Sequence, residues 1–511
     1  MIKMGEIRIK NITGIESEIN GIPKFFVIHE GSGYVIEIEP ETYAGLQKIS
    51  EGRKDDLTPE ETAKLKELQD YLNQLPPLNL EYNEDYGFLL GGSINVSQAC
   101  NFSCVYCYAN KGTYTLEKPK LMDKETMRKA IDFLFDKAPY GVSIVFFGGE
   151  PLLNFPVIQE GVLYAEKKAK ETKKPVFFSV TTNGYLLTPK VVDFLLSHPF
   201  NVIVSIDGPK EIHDHNRPFV DGSPTYDVVA KNLKYLVQEA KKRGKLGKIS
   251  VRATVLPEQL DRIYDIYHHL KTKFEVLNVG LELATLSNNV VTKEHIDTYL
   301  EQLRKIAIEE VETFGELETV VYVKFKQIIQ DVYRGRVSSF HCGAGKGSVA
   351  IDVNGNIYPC HRFVSMENFK LSHMDNFEWE HLKRFEPQKY NFFNHPPCKD
   401  CWLKLYCHDF CFYENIVYTG KSFIPPALKC YYARESFKIG LWLYARLWDK
   451  YGEEFEKALE NAVPIPSSDP ERNTAPNLRR EEVEDIEKGK IRTHQGHNLT
   501  RGDATDGEGA G

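Results

Sequence analysis

The sequence predicts an α/β fold built around a partial, TIM-like (β/α)6 barrel, with a small module before it and a loop-rich domain after it. Three observations lead to this prediction. Strand-like and helical segments alternate six times between residues 89 and 314. Of the ten cysteines, three lie at 100–107 and seven at 342–430, with none between. Hydrophobic residues make up 42% of the 511 residues and charged residues 27%, a balance typical of globular proteins.

Residues 1–88 are predicted to form a winged-helix-like module. A hairpin is expected from Phe25 to Ile38, because two β-rich runs flank Glu30-Gly-Ser-Gly. Two helices should follow. The second has clear start signals, since Thr58 can cap it and Glu61 can complete a capping box.

Residues 89–314 are predicted to form the barrel. Continuous apolar strands that alternate with helices are typical of a parallel sheet covered by helices. Six units are fewer than the eight of a closed barrel, so an open partial barrel and a doubly wound sheet both fit the pattern. An open barrel would leave a lateral entrance for a large substrate. The predicted strands begin at Ser93, Val142, Val176, Val202, Ile249 and Val276, and helices are predicted around Met127–Phe135 and at 155–172, 188–197, 225–242, 257–272 and 292–313.

The remainder of the chain is predicted to contain four segments. Residues 315–341 form a bridging region. Residues 342–435 hold seven cysteines but little regular structure, which indicates a domain organised by metal. A helix is expected at 436–463. Residues 464–511 contain no aromatic residue and no cysteine, so we expect disorder there and assign that tail no function.

Composition and charge argue against several classes of protein. The net charge of −8 argues against broad nucleic-acid binding, which needs a cationic surface. No run approaches the ~18 apolar residues of a membrane span, and the N-terminus lacks the apolar region of a secretory signal. We therefore expect a cytoplasmic protein with neither a nucleic-acid nor a membrane partner. Clustered cysteines in such a protein indicate metal sites rather than disulfides.

The first cysteine cluster has C-x3-C-x2-C spacing, formed by Cys100, Cys104 and Cys107. It follows the first predicted barrel strand, and ligands bind at that end of a parallel sheet. Three thiolates can hold three irons of a [4Fe–4S] cluster and leave the fourth iron open. A closed structural zinc site is the alternative, but it would need a fourth ligand.

This spacing after a first strand resembles the signature of the radical S-adenosylmethionine (SAM) enzymes. The resemblance implies that the open iron binds SAM and that one electron from the cluster cleaves it to a 5′-deoxyadenosyl radical, which abstracts hydrogen from the substrate. Gly148, Gly149, Glu150 and Pro151 resemble the family's GGEP motif, which faces the SAM amino group. Glycines allow close backbone approach, and Glu150 offers a charged acceptor. Alone, the four residues would more often form an ordinary strand-to-helix turn, but their place one β/α unit after the cysteines favours the motif.

Two further strand ends resemble the polar residues that line the SAM pocket in this family. Asn183 follows the third strand, while Ser205 and Asp207 follow the fourth. The resemblance implies that Ser205 contacts the SAM ribose or carboxylate. Arg217 is expected to pair with that carboxylate, unless it is a surface loop residue. Phe147 stands where several relatives carry a polar residue, so one cofactor contact is expected to be missing.

The C-terminal cysteines resemble the pattern of the SPASM domain, an extension of radical SAM enzymes that carries auxiliary iron–sulfur clusters. The resemblance implies two auxiliary [4Fe–4S] clusters and three in the whole chain. One would be bound by Cys398, Cys401, Cys407 and Cys430, and the other by Cys342, Cys360 and Cys411. The second would keep one iron open to a substrate cysteine, His341, His361 or water. His361 would also suit a hydrogen bond to a sulfur. One or two structural zinc ions are the alternative.

Two segments, Cys342-Gly-Ala-Gly and Tyr358-Pro-Cys360-His-Arg-Phe, resemble the maturases that install thioether cross-links in ribosomally made peptides. This resemblance implies a precursor peptide whose leader adds a strand to the N-terminal module. That module could instead only stabilise the fold. The resemblance also implies an external electron donor of the flavodoxin or ferredoxin type.

Three other functions stay open. The chain could form carbon–carbon or carbon–oxygen cross-links. It could be a sulfatase maturase that makes formylglycine, although relatives of that kind often place an Asp where this chain has His361. From a different class comes a non-catalytic zinc- or peptide-binding protein.

Overall fold

The computed structural model describes residues 5–78, 88–114, 117–285, 291–338, 342–385 and 391–462, and the backbone of 492–493. It confirms the predicted α/β class. An N-terminal antiparallel sheet, a central parallel sheet with helices and a loop-rich C-terminal domain follow one another along the chain. None of the helices in these ranges combines the length and the apolar composition that a membrane span requires.

The N-terminal module is a four-stranded antiparallel sheet followed by two helices. The predicted hairpin and the capping box of the second helix are confirmed: the Glu61 amide donates to Thr58 Oγ1 at 3.1 Å, and the Thr58 amide donates to the Glu61 carboxylate at 2.7 Å. Two preceding strands were not predicted. The elements are β1 (Glu6–Ile9), β2 (Ile12–Ile19), β3 (Ile22–His29), β4 (Tyr34–Ile38), α1 (Pro40–Ser50) and α2 (Pro59–Leu72).

The central sheet is an open arrangement of six parallel strands. Counted along the chain, these strands lie side by side in the order sixth, fifth, fourth, third, second, first, and among the described strands the first does not pair with the sixth, so the barrel stays open there. The elements are β5 (Gly91–Gln98), β6 (Lys120–Leu121), α3 (Lys124–Lys137), β7 (Val142–Gly148), α4 (Phe155–Thr172), β8 (Val176–Thr182), α5 (Pro189–Ser197), β9 (Phe200–Ser205), α6 (Lys210–Asn216), α7 (Tyr226–Lys242), β10 (Ile249–Val255), α8 (Ile263–Phe274), β11 (Val279–Leu283), α9 (Lys293–Leu317) and α10 (Val323–Arg334).

The last of these parallel strands begins three residues later than the sequence pattern suggests. The prediction started it at Val276, whereas the strand starts at Val279. The residues just before it bind a side chain of α10 instead: Lys326 Nζ donates to the Leu277 carbonyl at 2.8 Å and to the Asn278 side chain at 2.7 Å. Val276 is nevertheless buried, so its apolar character reflects packing rather than strand pairing.

The C-terminal domain continues the central sheet. Its first strand pairs in parallel with β5, which seats the domain beside the first cysteine cluster. The predicted helix at 436–463 differs in both bounds: it begins at Ala427, after Pro426, and breaks at Gly452, whose φ is 46°. The elements are β12 (Ser348–Ile351), β13 (Asn356–Tyr358), β14 (Ser372–His373), α11 (Phe412–Thr419), α12 (Ala427–Tyr451) and α13 (Glu453–Asn461).

The outer edge of β4 carries a fifth strand. This is β15 (Arg492–Thr493), which pairs antiparallel with β4 by placing Arg492 opposite Glu37 and Thr493 opposite Ile36. The disorder predicted for the tail otherwise concerns residues outside the described ones. The edge of β4 thus accepts an extended segment of backbone.

One face of the N-terminal sheet contacts the C-terminal domain. That face packs on α12, where the Trp442 indole donates to the Ile22 carbonyl at 2.9 Å. Next to it, the Tyr406 hydroxyl donates to the Gly33 carbonyl at 2.6 Å, and Lys404 pairs with Glu30 at 2.7 Å. The turn between β3 and β4 therefore touches the loop that carries Cys401 and Cys407.

Candidate active site

The first three cysteines lie on a loop that the turn after β7 holds in place. The Gly149 amide donates to the Ser97 carbonyl and the Glu150 amide to the Ala99 carbonyl, each at 2.8 Å. A Cβ atom at Gly149 would lie 2.2 Å from the Ala99 oxygen. The glycine is therefore required where the two backbones meet.

The segment after α6 holds the same cysteine loop from the other side. The Ser103 amide donates to the Pro218 carbonyl at 2.8 Å, and the Val105 amide donates to the Asn216 carbonyl at 3.0 Å. Beneath it, the buried Phe102 ring meets Phe219 edge to face, with 5.2 Å between centroids. The loop is consequently fixed by backbone hydrogen bonds on both sides.

A cavity of about 1190 Å³ opens in front of these cysteines. It runs from the first cysteine cluster to part of the second, between the ends of the barrel strands and the C-terminal domain. The predicted site residues on its wall are Cys100, Cys104, Cys107, Gly148, Gly149, Asn183, Ser205, Arg217, Cys342, Cys360 and Cys411. The others, Glu150, Pro151, Asp207, Cys398, Cys401, Cys407 and Cys430, are not among the residues that line it.

Glu150 is fully buried behind this wall and ties two strand ends together. Its carboxylate accepts hydrogen bonds from the Thr182 hydroxyl and the Asn183 amide, both at 2.7 Å, and from the Leu152 amide at 3.0 Å. Burial outweighs these hydrogen bonds and raises the pKa of Glu150 to about 7. In this arrangement the side chain positions Asn183, which does face the cavity; direct contact of Glu150 with SAM stays a prediction.

Asp207 also lies behind the cavity wall. It is completely buried and forms an ion pair with Arg217, whose side chain does reach the cavity. Arg217 is therefore not a surface residue. Burial raises the pKa of Cys104 to about 11, and the positive charge of Arg217 opposes this rise. Whether Arg217 and Ser205 contact SAM stays a prediction.

The seven C-terminal cysteines fall into two groups in space. Burial and the neighbouring Cys411 and Cys342 raise the pKa of Cys360 to about 12. Burial and a separate set of cysteines likewise raise the pKa of Cys398; that set consists of Cys407, Cys430 and Cys401. Cys430 joins it because α12 begins early enough to include it.

These groups suit iron–sulfur clusters by their chemistry. Each offers three or four thiols, the ligands that such clusters use. Within the described ranges, no three His, Cys, Asp or Glu side chains are arranged to enclose a single metal ion. A cluster places each thiolate on its own iron, so its ligands need not converge on one point. The buried thiols of Cys360 and Cys398, whose pKa values are raised, would lose their protons on binding metal.

The residue after Cys360, His361, also faces the cavity. His361 packs against the Phe147 ring, with 4.3 Å between centroids, and burial lowers its pKa to about 3. The aromatic residue noted at position 147 therefore has a packing partner in the C-terminal domain. His341 lies outside the described residues.

Arg362 and Glu414 were not predicted to be site residues. Both line the cavity next to Cys411, and they form an ion pair of 3.1 Å. Arg362 stands within a segment already noted for its resemblance to maturases, but only folding reveals its partner 52 positions away.

Comparison with known proteins agrees with this geometry. Residues 94–270 match the model of the radical SAM superfamily. Residues 342–402 match the model of the SPASM iron–sulfur cluster-binding domain. The first match covers the cysteine loop and reaches five of the parallel strands of the central sheet, and the second begins at Cys342.

Several characterised and uncharacterised proteins are similar in sequence. An uncharacterised protein of Methanocaldococcus jannaschii is 35% identical over 132 residues, which is 26% of this chain and 43% of that protein. The cysteine-type anaerobic sulfatase-maturating enzyme of Clostridium perfringens strain 13 is 25% identical over 60% of this chain and 85% of its own. The subtilosin biosynthesis protein AlbA of Bacillus subtilis is 24% identical over 55% of this chain and 57% of its own.

The fold is shared with a solved structure. The histidine-tagged form of anSMEcpe with bound AdoMet superposes with a TM-score of 0.61 at 22% identity, covering 73% of this chain and 98% of that one. By the two family models, the chain contains a radical SAM domain followed by a SPASM domain. It uses SAM and iron–sulfur clusters as cofactors.

Proposed function

We propose that this enzyme installs thioether cross-links in a ribosomally made precursor peptide. One observation carries the proposal: a single cavity joins Cys100, Cys104 and Cys107 to Cys342, Cys360 and Cys411. A peptide in that cavity could present a carbon atom to the first site and a cysteine to the second. The segments around Cys342 and Cys360 resemble thioether-forming maturases, and AlbA takes part in the biosynthesis of a bacteriocin, subtilosin.

The first three cysteines would hold the SAM-binding cluster, and the C-terminal groups would hold two auxiliary clusters. When bound, the first cluster supplies one electron that cleaves SAM to a 5′-deoxyadenosyl radical. The residues of the chain would bind SAM and position the peptide for this reaction. Gly148 and Gly149 keep the wall beside the cysteine loop open to SAM, while Asn183 and Ser205 offer polar groups at the strand ends. Three cysteines at the second site leave room for a fourth ligand from the peptide.

The balance of atoms and electrons defines what the enzyme must remove from the peptide. Forming one carbon–sulfur bond takes a hydrogen atom from carbon and a proton from the thiol, and one electron leaves the substrate. An auxiliary cluster held by Cys342, Cys360 and Cys411 would accept that electron. The hydrogen atom ends in 5′-deoxyadenosine. A flavodoxin- or ferredoxin-type donor would supply the electron consumed in SAM cleavage.

The N-terminal module would bind the leader of the precursor. Strand addition to an exposed edge gives affinity through main-chain hydrogen bonds. The edge of β4 supports this assignment because it pairs with the extended backbone of β15. A leader that took the place of β15 would lie on the N-terminal sheet. The turn between β3 and β4 of this sheet contacts the loop that carries Cys401 and Cys407.

A co-incubation experiment tests the proposal. The anaerobically reconstituted enzyme, SAM, a reductant and a cysteine-containing peptide encoded beside its gene should give a product two hydrogens lighter for each link. Iodoacetamide should then alkylate one thiol fewer per link. A loss of two hydrogens with all thiols still reactive would indicate a carbon–carbon or carbon–oxygen link instead and would contradict the thioether proposal.

The same experiment separates the second candidate, formylglycine formation. That function is favoured by the match to 85% of a sulfatase-maturating enzyme. It would convert cysteine to an aldehyde that reacts with a hydrazide probe, whereas a thioether does not. The neutral, buried His361 differs from the Asp often found there in such enzymes, which is why thioether formation is preferred.

A further inference from the structure

Arg362 stands between the two cysteine sites that share the cavity. Its Nη1 atom lies 4.0 Å from Cys411 Sγ. Its guanidinium also lies over two aromatic rings, 5.5 Å from the centroid of Tyr108 and 5.4 Å from that of Tyr413. Tyr108 follows Cys107 directly, so the contacts of Arg362 reach from the second cysteine site to the first.

A carboxylate fixes this cation in place. Glu414 accepts a hydrogen bond from Arg362 Nη1 at 3.1 Å, and it also pairs with Lys429 at 2.6 Å. The Thr285 hydroxyl lies 3.4 Å from the same Nη1 atom. The side chains of Arg362 and Glu414 are only 21% and 9% exposed, so solvent screens their charges weakly.

A fixed positive charge affects the redox chemistry of thiolates beside it. Reduction adds negative charge to an iron–sulfur cluster, and a nearby cation stabilises that reduced state more than the oxidised one. Hydrogen bonds and charges around the ligands are the means by which proteins adjust cluster potentials. Arg362 supplies such a charge at Cys411, and Glu414 offsets part of it.

We propose that Arg362 is a positioning residue that raises the reduction potential of the cluster bound by Cys342, Cys360 and Cys411. This inference rests on the proposed function. In the cross-linking step the carbon–sulfur bond forms, the thiol proton leaves, and the substrate is oxidised by one electron. A cluster held by Cys342, Cys360 and Cys411 would accept that electron, and the positive charge of Arg362 beside Cys411 would favour the transfer.

Redox titration followed by electron paramagnetic resonance tests this role. The full-length C100A/C104A/C107A background removes the first cluster, so the remaining signals come from the C-terminal domain. In that background R362Q should shift one of the two cluster potentials to more negative values and leave the other unchanged. R362K keeps the charge and should stay closer to the parent.

If R362Q does not bind iron, a second variant still tests the inference. E414Q removes the compensating anion and leaves Arg362 in place, so the same potential should shift to more positive values. R243Q is the control for the loss of an arginine charge: Arg243 pairs with Asp193 at 2.8 Å and is not among the residues that line the cavity, so its loss should move neither potential.

Opposite shifts for R362Q and E414Q, or the positive shift of E414Q alone when R362Q holds no iron, would support the inference. An unshifted potential in iron-replete R362Q, or in E414Q, would overturn it while leaving the proposed function intact. A C-terminal domain without iron in the parent would overturn the proposed function as well.

Discussion

Arg217 and Asp207 form a buried ion pair, with 2.9 Å between Arg217 Nε and Asp207 Oδ1. The carboxylate also accepts from the Thr254 amide at 2.9 Å, and the guanidinium lies 5.3 Å from the Tyr106 centroid. Tyr106 belongs to the cysteine loop. The pair therefore connects the ends of β9 and β10 to the loop that is proposed to bind the catalytic cluster.

Loss of Asp207 should destabilise the protein strongly. D207N leaves the buried charge of Arg217 without its counterion, which should lower the free energy of unfolding by about 3–5 kcal/mol. Urea denaturation of the metal-free protein measures this. E171Q is the control, because Glu171 pairs with Lys167 on the exposed surface and should change stability by less than about 1 kcal/mol. Equal effects of the two variants would contradict the importance of the buried pair.

Loss of any cysteine of the first loop should abolish SAM cleavage. C100A, C104A or C107A removes one of the three thiolates proposed to hold the catalytic cluster, and about four irons per chain should be lost. Release of 5′-deoxyadenosine under dithionite is the measurement. C398A is the comparison: it should keep SAM cleavage and lose the peptide product. Full nucleoside release by a first-loop variant would refute the assignment of these ligands.

The stability of the metal-free protein should depend on pH through Glu150. Its pKa is raised from 4.5 to about 7, so the carboxyl stabilises the fold below about pH 4.5 and that contribution is lost as the pH rises through 7. Between pH 5 and pH 8 the wild type should lose about 2.5 kcal/mol relative to E150Q, which does not titrate. A difference between the two proteins that stayed constant over this range, measured by urea denaturation, would be inconsistent with the raised pKa.

The contact between Tyr406 and Gly33 should contribute measurably to stability. Y406F removes the hydroxyl that donates to the Gly33 carbonyl and should cost about 1 kcal/mol. Thermal unfolding should therefore begin at a lower temperature than in Y140F, where the altered ring is 72% exposed. Both variants should bind as much iron as the wild type. Identical melting of the two would show that this hydrogen bond adds nothing.

Much of the barrel could be predicted from sequence because its strands and helices are long and periodic. The helix predicted at 155–172 has those bounds in the structure. The strands β1 and β2 were missed, although a signal existed. Asn20 and Gly21 both have positive φ, 52° and 72°, which is typical of a two-residue hairpin turn.

The contacts that connect distant parts of the chain could not be predicted. Tyr406 and Gly33 are 373 positions apart, and their hydrogen bond depends on how the N-terminal sheet seats on α12. Glu150 was predicted to face SAM from its motif alone. Motif position does not reveal that three donors already surround its carboxylate, since those donors come from two different turns.

Both faces of the N-terminal sheet are covered, and this affects how the protein can be shortened. Ile15, Phe26 and Val35 belong to the same apolar core as Leu441 of α12. A shortened protein that started at residue 88 would bare this side of α12 to water, and patches of that kind promote aggregation. Attempts to study the catalytic half separately should therefore keep the first four strands, or replace the uncovered apolar side chains with polar ones.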